Sequence, residues 1–141
     1  AGTFQKEYLA ICEGILEVQK GTIDAPIARK QGSIIEREVN EKTGVRAITH
    51  YQVEKTFYIE EKPYSLVRCQ LETGRTHQIR VHFSHIGHPL VGDDLYGSTS
   101  SLISRQALHC SHLEFLHPVD KKKVSLICDT PNDFIFLNLY K

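Results

Sequence analysis

The sequence predicts an α+β domain: a mixed, largely antiparallel sheet with one central helix packed on it. Runs rich in β-branched and aromatic residues lie on both sides of a single helical stretch. Gly14, Pro26, Pro63 and Gly74 punctuate those runs as turn residues do. The resulting order, several strands, then a helix, then more strands, lacks the regular alternation of a βαβ fold.

The helix is predicted over about 76–86. Gly74 permits a tight turn before it, Thr76 offers an N-cap, and Gly87 with Pro89 gives a stop signal. At helical spacing His77, Arg80 and Ser84 share one face, while Ile79, Phe83 and Ile86 share another. One face therefore docks on a core while the other presents an arginine beside a glycine turn, an arrangement suited to a carboxylate or a phosphate.

Residues 4–12 alternate as a strand, with Lys6, Tyr8, Ala10 and Cys12 on one side and Gln5, Glu7, Leu9 and Ile11 on the other. Apolar residues on both sides make it an interior strand. Segments 15–18 and 22–27 are expected as short strands, the latter ending at Pro26. Residues 29–33 read as a polar, basic loop and 36–44 as a charged excursion between strands. Segments 47–57 and 64–71 form a hairpin turning at Lys62-Pro63 and delivering the chain to Gly74. Residues 88–97 are a turn-rich connection in which Asp93-Asp94 cap or solvate the loop and do not form an acid/base pair. Residues 98–104 are expected on the surface, 108–115 and 124–128 as a strand pair, and 131–140 as a short helix or extended tail.

A length of 141 residues fits one domain, and 40% hydrophobic with 24% charged residues is ordinary globular composition. Lys+Arg 17 balances Asp+Glu 17, so no global basic field attracts nucleic acid. Locally the balance shifts: Arg68, Arg75 and Arg80 face only Glu72 between residues 68 and 88, with His77, His82, His85 and His88 interleaved. The four cysteines form no C-x-x-C pair and read as thiols of a reducing compartment. No apolar run reaches the ~20 residues of a membrane helix, and a cytoplasmic protein with no membrane partner is expected. His82 and His85, one helical turn apart, lack the companions of a zinc motif, so no metal is expected. Nothing in the sequence sets an oligomeric state.

The run Thr73-Gly74-Arg75-Thr76-His77-Gln78-Ile79-Arg80-Val81-His82, continued by Gly87-His88-Pro89-Leu90-Val91-Gly92-Asp93 and Tyr96-Gly97, resembles the C-terminal motif of the RluA-type pseudouridine synthases. Lys6-Glu7-Tyr8-Leu9-Ala10 with Gly14, Ala25-Pro26-Ile27, and Leu108-His109-Cys110 before His117-Pro118 are similar to that family in the same order. The resemblance implies an RNA-modifying isomerase that needs no cofactor and acts on uridines of ribosomal or transfer RNA. It implies that Arg80 is the partner of the catalytic aspartate, that Tyr8 lies against the target uracil with a role in proton removal at C5, and that Arg75 and His77 contact RNA.

That aspartate belongs to a His-Arg-Leu-Asp run preceding the tyrosine motif in the family, and no such run occurs here. None of Asp24, Asp93, Asp94, Asp120, Asp129 or Asp133 sits in that context. The sequence also begins at Ala1 and contains no methionine. The expectation is that residues 1–141 are the C-terminal portion of one synthase domain, inactive alone. The alternative is a non-catalytic RNA-binding protein of the same fold.

Overall fold

The computed structural model describes residues 4–97, 99–116 and 123–127, with backbone only at 4–6, 111–116 and 123–127. It contains strands β1 (Phe4–Glu13), β2 (Lys20–Asp24), β3 (Ile27–Arg29), β4 (Arg37–Val39), β5 (Ile48–Ile59) and β6 (Lys62–Leu71), helix α1 (Gln78–His85), then β7 (Leu108–Leu116) and β8 (Lys123–Ile127). Six strands form one sheet in the order β2-β5-β6-β1-β7-β8, and β3 pairs with β4 in a separate hairpin. Every described pairing is antiparallel.

The alternation of β1 explains how both sheet faces are used. Ala10 and Cys12 point to one face, where Val67, Cys69 and Tyr51 join Ile79 and Phe83 of α1 in a buried cluster that Tyr8 extends. Ile11 and Leu9 point to the other, packing with Phe57, Tyr64, Val91, Ile103 and Ala107. Tyr8 therefore lies on the helix-bearing face. A bulge between Val53 and Lys55 shifts the register of β5 by one residue, so Phe57 changes face and stacks on Tyr64 with centroids 5.6 Å apart. Without it Phe57 would share the face of Val53.

Several local expectations are corrected. The β5–β6 hairpin turns at Glu60 (φ 50) and Glu61 (φ 69), two left-handed residues of a tight two-residue connection, while Lys62 and Pro63 already belong to β6. Segment 15–18 is not a strand, although Leu16 is buried. The excursion at 36–44 contains β4. Ile103, in the stretch expected at the surface, is buried. Cys12 and Cys69 are buried and free, and burial pushes both thiols up in pKa, so neither is readily nucleophilic. The expected element at 131–140 and Cys128 lie outside the described residues.

Helix α1 starts later than Thr76. Its N-cap is His77 in the left-handed region (φ 57), and no side chain caps it. Gln78 substitutes for a cap by reaching back: its Oε1 accepts from Arg75 N (3.0 Å) and from Thr73 Oγ1 (2.7 Å). Ile86 falls just past the helix and is 36% exposed, so it does not extend the apolar stripe. The helix is instead anchored by polar groups. Gln78 Nε2 donates to Ile48 O (2.9 Å) and to Thr49 Oγ1 (3.0 Å), and the Thr49 hydroxyl meets His82 Nδ1 at 2.8 Å. His82 Nε2 faces the Ala25 carbonyl at 2.8 Å, which accepts only, so the proton sits on Nε2 and Nδ1 accepts from Thr49. Thr49, Gln78 and His82 are all buried.

Both His82 nitrogens are thus committed to protein partners, and metal sharing with His85 is ruled out in this arrangement. Burial, the largest cause, lowers the His82 pKa from 6.5. The unfolded chain then takes up the proton first, so the contribution of neutral His82 is complete above about pH 6.5 and is lost as pH falls toward the lower folded value. His82→Leu is expected to destabilise by on the order of 3 kcal/mol in urea unfolding, because it strands Thr49 Oγ1 and Ala25 O. His82→Gln, which does not titrate, is expected to lose less stability than wild type between pH 7 and pH 5.

Candidate active site

Four sequence-predicted residues, Tyr8, Arg75, His77 and Arg80, border one cavity of about 440 Å³ between the helix-bearing sheet face and the Gly74 turn. Leu71, Ile79 and Leu108 give it apolar walls, and Glu72, Thr73, Gln78 and Gln106 add polar rim groups. Tyr8 reaches it from the centre of the sheet, where it pairs with Cys110 beside a register shift in the β1–β7 ladder. Burial, then Cys110, raises the Tyr8 pKa above 10.0, so the phenol stays protonated at neutral pH.

Arg80 stands on α1 with a side-chain exposure of 13%. Its Nε and Nη2 each donate to Asp93, to Oδ2 and Oδ1 respectively, at 2.9 Å. Asp93 is fully buried, and its Oδ1 also accepts from Leu95 N and Tyr96 N at 3.2 Å. The Tyr96 ring lies under the guanidinium, 5.2 Å from ring centroid to Cζ. Asp93 thus aims Arg80 side-on, while Nη1 has no hydrogen bond among the described residues. The expectation that Asp93 merely caps or solvates a loop is corrected: it does cap the turn, but it is also the resident partner of Arg80. The signal available was the apolar pair Leu90-Val91 just before it, both fully buried.

His77 donates no cap. Its Nδ1 lies 2.6 Å from the Tyr96 hydroxyl, which also accepts from Arg37 N at 2.9 Å. Burial, then Arg80 and Arg37, lowers the His77 pKa from 6.5, leaving it neutral at pH 7. Ser84 Oγ donates to Tyr96 O (2.8 Å), closing the 92–97 loop over the helix face that carries Arg80. Arg75 donates from Nε to Arg46 O (2.8 Å), and its remaining N–H groups have no hydrogen bond among the described residues.

Glu72 is the carboxylate among the described cavity residues, and the sequence reading did not single it out. It is exposed and held by His50 and Arg46, unlike a desolvated nucleophile. A second groove of about 650 Å³ adjoins the first through Gly74 and Arg75 and is lined by Arg29 and Arg37, with no acidic residue among its described lining. Among the described residues no three His, Cys, Asp or Glu side chains form a metal-binding group, and no helix is long and apolar enough to cross a membrane.

The family model described as RNA pseudouridylate synthase matches residues 1–85. The chain is 46% identical over 132 residues to the uncharacterized RNA pseudouridine synthase YjbO of Bacillus subtilis, covering 94% of this chain and 45% of that protein. It is 40% identical over 148 residues to ribosomal large subunit pseudouridine synthase D of Zymomonas mobilis, covering 96% of this chain and 44% of the relative. The solved human RNA pseudouridylate synthase domain containing 1 superposes with a TM-score of 0.80 at 30% identity, over 92% of this chain and 56% of that one. The chain therefore spans less than half the length of these two curated relatives. With the matching segment reaching from the tyrosine strand through the arginine helix, the chain belongs to the RNA pseudouridylate synthase family.

Proposed function

We propose that these residues form the Tyr8 and Arg80 side of a uridine-isomerising site acting on ribosomal or transfer RNA in the cytoplasm, as the C-terminal portion of a synthase domain. The observation that carries this reading is that Tyr8, early in the chain, and Arg80, on the helix, border one cavity with N–H groups of Arg80 unspent. Isomerisation breaks the N1–C1′ bond, turns the uracil over and joins C5 to C1′, with no cofactor. It requires a carboxylate near the sugar, a cation that keeps the carboxylate ionised, and a wall for the freed ring.

Arg80 suits the second role. Asp93 fixes its plane, and the remaining N–H groups are free to receive a second carboxylate, which is supplied from outside residues 1–141. Tyr8 suits the third. Its raised pKa favours ring contact over proton removal, since phenolate is scarce at neutral pH. A neutral His77 offers a hydrogen bond, and Arg75 joins Arg29 and Arg37 in a basic track for the flanking phosphates. Extruding the base from its stack costs a few kcal/mol, to be recovered in the cavity.

The rival reading, a non-catalytic RNA-binding protein, draws on Asp93, because a resident partner already accounts for the burial of Arg80. RNA labelled with tritium at uridine C5 tests the reading, since isomerisation releases that hydrogen to water. The isolated 141-residue chain is expected to bind the RNA without releasing tritium, and a longer protein carrying the family aspartate upstream is expected to release it. Release by the isolated chain would refute an external carboxylate. Binding with no release by the longer protein would favour the rival.

Two further outcomes follow from the same geometry. Asp93→Asn is expected to lower stability by on the order of 3 kcal/mol in urea unfolding, because it weakens a mostly buried bidentate pair and leaves the guanidinium underneutralised. Arg29→Gln is expected to weaken single-stranded RNA binding irrespective of sequence and to reduce the log-affinity against log-salt slope by roughly 0.7, the loss of about one phosphate contact. An unchanged slope would remove Arg29 from the track.

A further inference from the structure

Tyr96 lies outside the described lining of the cavity, yet it touches two side chains that do line it, Arg80 and His77. Its ring and its hydroxyl have different partners. The ring lies against the face of the Arg80 guanidinium, 5.2 Å from centroid to Cζ, and meets the His77 ring at 74° with centroids 5.4 Å apart. The hydroxyl is 2.6 Å from His77 Nδ1 and accepts from Arg37 N at 2.9 Å. It therefore ties the 92–97 loop to β4, whose Arg37 lines the basic groove. The backbone completes the attachment: Tyr96 N donates to Asp93 Oδ1 at 3.2 Å, and Tyr96 O accepts from Ser84 Oγ at 2.8 Å.

A bidentate ion pair leaves one motion open. Asp93, bonded to Nε and Nη2, fixes Arg80 within the plane of the guanidinium, but that plane can still tilt about the line joining the two carboxylate oxygens. Tilt displaces Nη1 most, because it sits at the vertex opposite the paired edge. An aromatic ring against the face opposes the tilt, since the cation loses contact with the π surface as its plane swings away. The ring itself is held at both ends, by its hydroxyl and by its backbone, so it cannot follow.

We propose that Tyr96 is a positioning residue of the isomerising site: its ring holds the Arg80 guanidinium at the tilt that meets the second carboxylate, and its hydroxyl holds β4, and with it the basic groove, against that site. The proposal rests on the reading of this cavity as the uridine site. It assigns the ring to the rate of the chemical step and the hydroxyl to RNA affinity. A substitution acting through stability alone would not separate those two quantities.

The test uses the longer protein carrying the family aspartate upstream, in excess over RNA tritiated at uridine C5. The plateau rate of tritium release then reports the chemical step, and the protein concentration at half-saturation reports binding. Tyr96→Leu is expected to lower the plateau rate about tenfold and to raise half-saturation about threefold. Tyr96→Phe, which restores the ring without the hydroxyl, is expected to recover most of that rate while half-saturation stays raised about threefold. Thermal unfolding of each variant reports whether the fold is retained, and if Tyr96→Leu does not fold the phenylalanine variant decides alone. A Tyr96→Leu plateau rate equal to wild type, or a Tyr96→Phe rate lowered about tenfold, overturns the role of the ring. Half-saturation of Tyr96→Phe equal to wild type overturns the role of the hydroxyl. Each of these leaves the cavity a uridine site. Absence of release by the wild-type longer protein would overturn the reading of the cavity, and this assignment with it.

Discussion

The structure depends on a chain of hydrogen bonds, buried from Gln78 to Ala25, that ties α1 to the sheet. It runs from Ile48 N to the Thr73 hydroxyl, from Thr73 to Gln78, from Gln78 to Thr49, from Thr49 to His82 and from His82 to the Ala25 carbonyl. Each hydroxyl donates once and accepts at least once, each amide hydrogen of Gln78 has a partner, and the imidazole has only one consistent tautomer. Because Thr49, Gln78 and His82 are buried, a slip of the helix by one residue would leave several of their polar groups unsatisfied, at about 1–3 kcal/mol each. The network therefore sets the register of a helix too short, at 8 residues, to be held by its own propensity.

Fixing that register fixes the site. With Gln78 and His82 turned into the sheet, Arg80 falls between them on the side where the 92–97 loop returns, and Asp93 meets it there. Tyr96 serves several neighbours at once: its hydroxyl joins Arg37 and His77, its carbonyl receives Ser84, and its ring carries Arg80. The left-handed backbone of His77 is a conformation histidine adopts more readily than most residues, and the side chain is rewarded by Tyr96. Polar groups thus do at the mouth of the cavity what apolar packing does beneath it.

Much of this was legible in the sequence. The alternation of residues 4–12 placed Tyr8 with Ala10 and Cys12, and the burial of those two on the helix side accounts for its position. The helical spacing put Arg80 away from Ile79 and Phe83. Other features were not legible because their cause is not local. Thr76 has the chemistry of a cap, but Gln78 supplied the contact once it was also bonded to β5. Asp93 looked like a loop carboxylate because adjacent acids usually solvate, and its burial arises from Leu90 and Val91 being drawn into cores on opposite faces of the sheet.

The sequence by itself determined the strand-rich frame, the single helix, the family and which side chains are candidates for chemistry, because periodicity and motif order are properties of the chain. Only the tertiary structure decided that Tyr8 and Arg80 share a cavity and that Asp93 orients the guanidinium. Those outcomes turn on which face of the sheet the helix covers and on how buried donors and acceptors are matched across distant segments. Neither is set by any stretch of the sequence read alone.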